Sequence, residues 1–182
     1  SRLEEQLRSI PGVQAVGSTS NVPLTGGGYS SDFTVAGWTE GTYGTEVLHR
    51  RITPDFFKVM RTPLLAGLAF TVDDRANGAQ VVIINEAMAN KHFKGQNPIG
   101  QRITFDKVPD SSSTWNTIVG VVKDQHQTKL AIEPQIEVFE PLTQSPTNGM
   151  AMIVRTAGNP ASLGPAIRRT VAEMDRALAL SS

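Results

Sequence analysis

The pattern of hydrophobic and polar positions is clearest in the middle of the chain, at residues 81–105. Val81–Ile84 is a run of β-branched apolar residues, which is typical of a buried strand. Asn85 then stands where its side-chain oxygen can accept hydrogen bonds from the first turn of a helix, and Gly95 suits the left-handed position just beyond a helix end. The pattern therefore predicts a strand followed by a helix.

The same stretch continues into a turn and a second strand. Asn97–Gly100 has proline at the second position of a β-turn, and Gln101–Phe105 alternates polar and apolar residues as a half-buried strand does. The β-branched and aromatic residues concentrated in this part of the chain predict its best-packed core. We expect that core to contain Val82, Ile84, Phe93, Ile103, Val119 and Val121.

Helical spacing of apolar residues predicts one helix near each end of the chain. The first spans Arg2–Ser9 and the last spans Leu163–Asp175. Asn159 or Ser162 can cap the last helix. Pro165 favours the later start, because a proline beyond the first turn loses a hydrogen bond and clashes with the preceding turn.

The rest of the pattern is mostly that of strands. One short helix is expected after Ile52, with Thr53 as its N-cap and Pro54 at its first position. Further strands are expected at Val13–Ser20, Tyr29–Trp38, Glu46–Ile52, Trp115–Lys123, Gln135–Leu142 and Met150–Arg155.

This order of elements predicts an α+β fold of two lobes. Residues 1–20 and 144–182 form one lobe of βαβ type from both chain ends, and residues 21–143 form a mixed, mostly β lobe inserted between them. A helix that connects strands of such a layer runs antiparallel to them. We therefore expect Arg2 to lie closer to Met174 than to Leu163.

Composition and charge exclude several classes of protein. The 182 residues are 39% hydrophobic and 19% charged, with 17 basic and 17 acidic side chains, so no basic excess indicates a nucleic-acid partner. The absence of cysteine excludes thiol catalysis, thiolate metal sites and disulfides. Because the chain begins at Ser1 within a helical pattern, without a signal peptide or an apolar run of spanning length, we expect a domain cut from a longer protein.

Candidate catalytic and metal-binding residues are few. His49, His92 and His126 have no second histidine at the three- or four-residue spacing of a helical zinc site, so we expect surface histidines without a catalytic or metal role. The Asp73–Gly78 segment starts like a calcium loop, but Ile84 stands where the bidentate glutamate is required. The Gly26–Gly28 triplet is not followed by the Lys-Ser or Lys-Thr pair of a phosphate loop, so no cofactor is expected.

Four aromatic residues offer an alternative function. Tyr29, Trp38, Tyr43 and Trp115 could line a ligand cleft, although aromatic residues in strands more often belong to the core or to cross-strand pairs. A stand-alone extracytoplasmic ligand-binding module and a hydrolase with an unrecognised site therefore remain open as alternatives.

Three passages, in this order and spacing, resemble the periplasmic core domain of MacB-like ABC transporter permeases, in the wider FtsX/LolC group. The resemblance covers nearly the whole chain. The passages are ITPDFF at 52–57 with Met60, Pro63, Leu64, Leu65, Gly67 and Phe70 after it, VVIINE at 81–86 with Phe93, Gly95, the NPIG turn at 97–100 and Ile103, and IVGVVKD at 118–124.

The resemblance implies a non-catalytic domain on the periplasmic side of the bacterial inner membrane, anchored by membrane helices outside this chain. Its end lobe is porter-like and its inserted lobe is the one called Sabre in this family. The domain relays conformational change during export. Its implied partners are a second permease copy, a cytoplasmic ATPase acting through the membrane part, and a periplasmic adaptor protein; the cargo is left open.

Two departures from the family pattern bear on these expectations. Leu68 stands where the family frequently has an arginine, so any salt bridge of that arginine is absent here. The strand expected before Ser1 is missing and the one expected after Asp175 is at best begun, so the porter-like lobe is expected to be incomplete. The shared motifs are turns, caps and core positions, and they transfer no catalytic, cofactor, metal or substrate-binding residue.

Overall fold

The computed structural model describes residues 2–22, 28–38, 45–125 and 134–174. They form a mixed α+β domain in which strands predominate, as predicted. The helices are α1 (Arg2–Arg8), α2 (Phe56–Met60), α3 (Glu86–His92) and α4 (Pro160–Met174). The strands are β1 (Val13–Thr19), β2 (Tyr29–Val35), β3 (Thr45–Ile52), β4 (Leu64–Gly67), β5 (Val81–Asn85), β6 (Arg102–Thr104), β7 (Asn116–Val122), β8 (Glu137–Pro141) and β9 (Ala151–Thr156).

All of these strands belong to one mixed sheet. Its order is β2-β6-β7-β5-β8-β3-β1-β9, and β4 pairs with β7 beside this path. The pairs β5–β7 and β3–β8 are parallel, whereas the other strand pairs are antiparallel. A parallel pair needs a crossover, and α3 with β6 supplies it between β5 and β7.

The central strand β5 contributes to two hydrophobic clusters, because successive side chains of a strand point to opposite faces of its sheet. Ile84 lies in one cluster with Met88 of α3, and Ile83 lies in the other with Phe56 of α2. Burial of each such side chain is worth about 1.5–3 kcal/mol. The sheet is therefore covered on both of its faces at this point.

The predicted core is confirmed. Five of its residues are at most 5% exposed, and Val119 is partly buried against the cluster that contains Phe56. The five are Val82, Ile84, Phe93, Ile103 and Val121.

The predicted start of α2 is wrong by two residues. The helix begins at Phe56, and its N-cap Asp55 makes no side-chain capping bond. The Thr53 hydroxyl instead accepts a hydrogen bond from the backbone N–H of Ser18 at 2.8 Å. A neighbouring strand thus uses the oxygen that local sequence assigned to a cap. The helix ends at Met60, and its C-cap Arg61 is left-handed with φ of 56°.

Helix α4 begins earlier than predicted. Asn159 is its N-cap, since its side-chain oxygen accepts from the Ala161 N–H at 3.0 Å, and Pro160 occupies the first helical position. Pro165 therefore lies inside the helix. The Asn159 cap and Pro160 stabilise the first turn of α4. The helix therefore keeps this turn although Pro165 inside it costs one backbone hydrogen bond.

The turn after α3 also differs from the prediction. The helix ends at His92, and Gly95, with φ of 73°, lies within a tight turn in which the Gln96 N–H bonds the Phe93 carbonyl. The hydrogen-bonded turn of the NPIG motif runs from Pro98 to Gln101, one residue later than expected. The N-cap prediction for Asn85 is confirmed, because its side chain accepts from the Met88 N–H at 3.1 Å.

The first helix runs antiparallel to β1, as expected. The Ser18 hydroxyl donates to Glu4 at 2.9 Å near one end, and Arg8 donates to the Val16 carbonyl at 3.3 Å near the other. Leu163 at the start of α4 lies beside Gly12, where an added Cβ would be 3.4 Å from Leu163 Cδ1. This contact agrees with the expected helix directions, and the proximity of Arg2 to Met174 stays a prediction.

Candidate functional site

A deeply buried ion pair joins β3 to β8. Arg50 Nε donates to Glu137 Oε1 at 2.5 Å, and both side chains are 1% exposed. Arg50 Nη1 also donates to the Asn21 carbonyl at 2.5 Å, and the guanidinium lies 5.9 Å from the centre of the Phe56 ring. The pair therefore connects two central strands to the segment that follows β1.

Sequence reasoning missed this ion pair, although a signal for it was present. Arg50 and Arg51 are consecutive in a strand, so one of the two must point to each face of the sheet. Glu137 likewise stands between the apolar residues Ile136 and Val138. A charge on each of two buried strands is the pattern of a buried pair, because an unpaired buried charge is too costly to keep.

On the opposite face, a second chain of hydrogen bonds is built around His49. Its Nε2 lies 2.8 Å from the Ser31 hydroxyl oxygen, and its Nδ1 lies 2.9 Å from Glu140 Oε1. Arg51 Nε donates to the Ser145 hydroxyl at 2.8 Å. These contacts hold β2, β3, β8 and the turn after β8 together.

The charge state of Glu140 follows from its neighbours. Burial by itself would raise the pKa of Glu140, but the hydrogen bonds from His49 and Ser145 and the positive charge of Arg51 outweigh it. The net effect is a pKa below the ordinary value of 4.5, so the carboxylate is ionised at neutral pH.

Ser31, His49 and Glu140 have the connectivity of a hydrolase triad, because the His49 ring lies between the Ser31 hydroxyl and the Glu140 carboxylate. Ser31 Oγ also lies 3.0 Å from the carbonyl oxygen of Asp32. Together these contacts fix the ring between β2 and β8.

The three histidines were predicted to lie at the surface, and the structure describes two of them, His49 and His92. The prediction that His49 lies at the surface is wrong, because its side chain is 4% exposed and both of its ring nitrogens have hydrogen-bond partners. His92 is half-buried between the rings of Phe33 and Trp38, and its pKa is lowered by burial and then by the charge of Lys91. His126 lies outside the described residues.

The aromatic residues that were considered for a ligand cleft occupy different environments. Trp38 packs against the core cluster that contains Phe33, as the core interpretation predicts. Trp115 stacks with Arg102, whose guanidinium carbon is 5.7 Å from the ring centre. Tyr29 is 60% exposed and touches the His49 ring at a centroid distance of 5.1 Å. Tyr43 lies outside the described residues.

Two open cavities flank the His49–Glu140 pair. One of about 430 Å³ is lined by Tyr29, His49 and Arg51, and one of about 610 Å³ is lined by Phe105, Glu140 and Ser145 among others. Within the described ranges there is no group of three metal-ligating acids or histidines, and no helix is long and apolar enough to cross a bilayer. In the Asp73–Gly78 segment, Asp74 accepts from the Thr71 N–H and so shapes a turn.

The described residues thus form one mixed sheet that carries a buried Arg50–Glu137 ion pair and a buried His49–Glu140 pair. The chain belongs to the MacB-like periplasmic core domain family, whose family model matches residues 2–170. It is thus a periplasmic core domain of an ABC transporter permease.

Relatives and solved structures agree with this assignment. The chain is 32% identical over 68 residues to the macrolide export ATP-binding/permease protein MacB of Syntrophobacter fumaroxidans, covering 37% of this chain and 8% of that protein. It is 32% identical over 81 residues to the probable syringafactin export ATP-binding/permease protein SyfD of Pseudomonas syringae pv. tomato, covering 44% and 11%. The chain therefore spans only a small part of these relatives.

The fold is shared with solved periplasmic and extracellular domains. The periplasmic region of MacB from Actinobacillus actinomycetemcomitans superposes with a TM-score of 0.66 at 18% identity, over 95% of this chain and 72% of that one. The extracellular domain of the transporter YknZ from Gram-positive bacteria gives 0.62 at 19% identity, over 96% and 80%. At these identities the likeness concerns the fold alone.

Proposed function

We propose that this chain is a non-catalytic module that relays conformational change and docks partners during export by an ABC transporter permease. The observation that carries the proposal is the family match over residues 2–170. We further propose that the module lies on the periplasmic side of the inner membrane and is anchored by membrane helices outside this chain.

The relay is proposed to act between two lobes. One comprises residues 1–20 and 144–182, and the other comprises residues 21–143. The uneven pairing of β1 supports this relay. Strand β1 pairs with β9 over Val13–Thr19, whereas it pairs with β3 at one position, where Thr19 lies opposite Ile52. A single paired position leaves room for one part of the sheet to turn against the other.

Several polar contacts cross the junction between the proposed lobes, and the Arg51–Ser145 hydrogen bond is one of them. Thr53 and Ser18 exchange two hydrogen bonds, of 2.8 Å to the Thr53 hydroxyl and 3.0 Å to the Ser18 carbonyl. Arg8 of α1 donates to Asp55 at 2.6 Å. Such contacts would transmit a displacement of α1 to α2 and the strands behind it.

The proposed partners are a second permease copy, the ATPase acting from the cytoplasm through the membrane part, and a periplasmic adaptor protein. The names of the two relatives, which combine ATP-binding and permease functions, support the ATPase. Nucleic acid is not among the partners, because the 17 basic and 17 acidic side chains balance. The cargo is left open.

The relay can be tested in the full-length permease that carries this domain. Spin labels on cysteines at Ser112 and Arg168, which are exposed positions of the two proposed lobes, report the inter-lobe distance by pulsed electron resonance. ATP with vanadate should change this distance. A pair at Asn77 and Ser112, both in the inserted lobe, should keep its distance and serves as the control.

A second variant addresses the junction itself. Thr53→Val removes the hydroxyl that accepts from Ser18 and keeps the shape of the side chain. It should reduce the ATP-dependent distance change while ATP hydrolysis continues, and Thr156→Val in β9 should leave both unchanged. A distance that does not respond to ATP in the unmodified permease would refute the relay.

A further inference from the structure

Six strands of the mixed sheet close into a barrel. Strand β2 pairs with both β6 and β3, so the pairing runs in a circle through β2, β6, β7, β5, β8 and β3. Apolar side chains on one face of these strands, Phe33, Val47 and Ile84 among them, belong to one hydrophobic cluster. The barrel interior is therefore filled by side chains, which leaves room for a ligand only at an end.

The two ends of the barrel differ in polarity. Helix α3 closes one end, because its N-cap Asn85 accepts from the Glu137 N–H at the start of β8. The apolar residues of α3 and the Trp38 ring pack on the interior cluster there. Glu140 lies near the far end of β8, bonded to His49, and so marks the other end. Ligand sites are common in the mouths of β-barrels, so the polar end is the candidate entrance.

A cavity of about 610 Å³ lies at this polar end, and we call it the mouth cavity. It is lined by Phe105 and Glu140 at the end of the barrel and by the loop between β6 and β7, which supplies Asp106, Asp110 and Ser112. Small-molecule sites usually have volumes of about 300–1,000 Å³. The mouth cavity is therefore large enough for a small molecule.

Asn116 places an unpaired oxygen in the wall of the mouth cavity. The residue is 8% exposed and lies opposite Ile103 in the pairing of β6 with β7. Its Nδ2 donates to the Ile103 carbonyl at 3.5 Å, which directs the amide oxygen Oδ1 away from that carbonyl. Oδ1 has no hydrogen-bond partner within the described residues. An acceptor that is nearly buried and unpaired is costly, and an N–H or O–H group of a ligand would satisfy it.

The charges around the mouth cavity favour a positively charged ligand. Asp106, Asp110 and Glu140 all line it. Lys107 is the one basic side chain among the lining residues that the structure describes. The hydrogen bonds from Ser112 lower the pKa of Asp110, so its carboxylate is ionised at neutral pH, as that of Glu140 is. The cavity therefore carries a net negative charge, which attracts cations.

The rest of the polar lining suits hydroxyl groups of a ligand. Gln80 Nε2 donates to two nearby backbone carbonyls, which leaves its amide oxygen as an acceptor. Ser112, Thr114 and Ser145 add hydroxyl groups, each of which can donate and accept. Half-buried Phe105 supplies apolar surface beside them. These acceptors, hydroxyls and apolar surface together match a ring that carries several hydroxyl groups.

We propose that the mouth cavity binds a polyhydroxylated amine of the amino-sugar class, with its ammonium group toward Asp106 and Asp110 and a hydroxyl group donating to Asn116 Oδ1. The site is additional to the proposed relay and does not rest on it. Binding is measured on this chain without ATP, membranes or a partner protein, so a negative result leaves the relay untouched.

The first experiment is a titration of the isotope-labelled chain with the disaccharide of glucosamine, followed through the backbone amide signals by NMR. Below neutral pH its amines are protonated, and the signals of Phe105, Ser112 and Asn116 should shift to saturation with a Kd of about 1 mM or less. Two probes separate the parts of the ligand. The N-acetylated disaccharide keeps the hydroxyl groups without the charge, and putrescine keeps the charge without the hydroxyl groups. Each should bind at least tenfold more weakly than the disaccharide.

The second experiment uses variants of the cavity wall. Asp106→Asn and Asp110→Asn keep the shape of the side chain and remove its charge, so the double variant should bind at least tenfold more weakly. Asn116→Ala removes the unpaired oxygen and should also weaken binding. Asp73→Asn is the matched control, because its side chain is 85% exposed and lies outside the cavity lining. Circular dichroism checks that every variant is folded, and the two aspartate variants test the site even if Asn116→Ala is not.

Several results would overturn the proposal. An absence of shifts up to about 20 mM disaccharide would show that the cavity does not bind this class of ligand. Equal binding of the N-acetylated form would refute the role of the ammonium group, and equal binding of putrescine would refute that of the hydroxyl groups. A loss of affinity in Asp73→Asn as large as in the double variant would show general charge attraction rather than a site.

Discussion

Arg50 of β3 and Glu137 of β8 form an ion pair of 2.5 Å in which each side chain is 1% exposed. A pair this deeply buried loses its hydration on both sides, so its net contribution to folding is small or even unfavourable. Removing one partner is strongly destabilising, because the remaining charge stays buried without its main partner.

Glu137→Ala or Arg50→Ala should each lower the free energy of unfolding by about 3–5 kcal/mol. The double variant Arg50→Met, Glu137→Leu should cost far less than the sum of the single changes, since it removes both charges and refills the space. Urea unfolding at pH 7 measures all three. The exposed pair of Lys123 and Glu86, at 2.7 Å, is the control, and Lys123→Ala should shift the urea midpoint little. Single variants as stable as the unmodified protein would contradict the buried pair.

Glu140→Gln should lower the free energy of unfolding at pH 7 by about 1.5–3 kcal/mol, because it removes a charged acceptor from His49. The pKa of Glu140 is lowered in the folded protein, so its contribution is present above the ordinary value of 4.5 and is lost as the pH falls through the folded-state pKa. The variant should therefore show a shallower loss of stability in acid. Urea unfolding between about pH 3 and pH 7 checks this, with Glu5→Gln as an exposed control. Equal acid slopes for Glu140→Gln and the unmodified protein would contradict it.

His92→Phe should remove a pH dependence just below neutrality. Burial, and then the charge of Lys91, lower the pKa of His92 below 6.5, and its Nε2 has no hydrogen-bond partner within the described residues. The folded state thus binds its proton less readily than the unfolded state, so stability falls as the pH drops below 6.5 toward the folded-state pKa. The thermal midpoint of the variant should fall less than that of the unmodified protein between about pH 7.5 and pH 5.5. A parallel fall in both proteins would show that His92 is not responsible.

Gly120→Ala should destabilise the domain by about 1–3 kcal/mol or more. A Cβ at this position would lie 2.4 Å from the backbone oxygen of Leu68, so β4 would have to move away from β7. Gly149→Ala is the matched control, because nothing lies within 4 Å of its added Cβ. Urea unfolding of both variants measures the difference, and the prediction fails if they are equally stable.

The strand–helix unit around β5 could be predicted from sequence because its signals are local. Four β-branched residues, a capping asparagine and a run of helix-forming residues each act within a few positions of one another. Asn85 accordingly caps α3, and Ile84 is fully buried. Strand β4 was missed because its residues Leu64–Gly67 show no alternation of apolar and polar types that would mark a strand.

The sequence by itself determined the α+β class, the family and most of the core, because these depend on composition, periodicity and motifs read along the chain. Only the tertiary structure decided which polar groups meet. His49 and Glu140 are 91 positions apart, and Arg50 and Glu137 are 87 apart. Their contacts depend on the parallel register of β3 with β8, which places Arg51 beside Glu140 and Leu48 beside Glu137. Register is a property of two strands together, so neither strand's sequence could specify it alone.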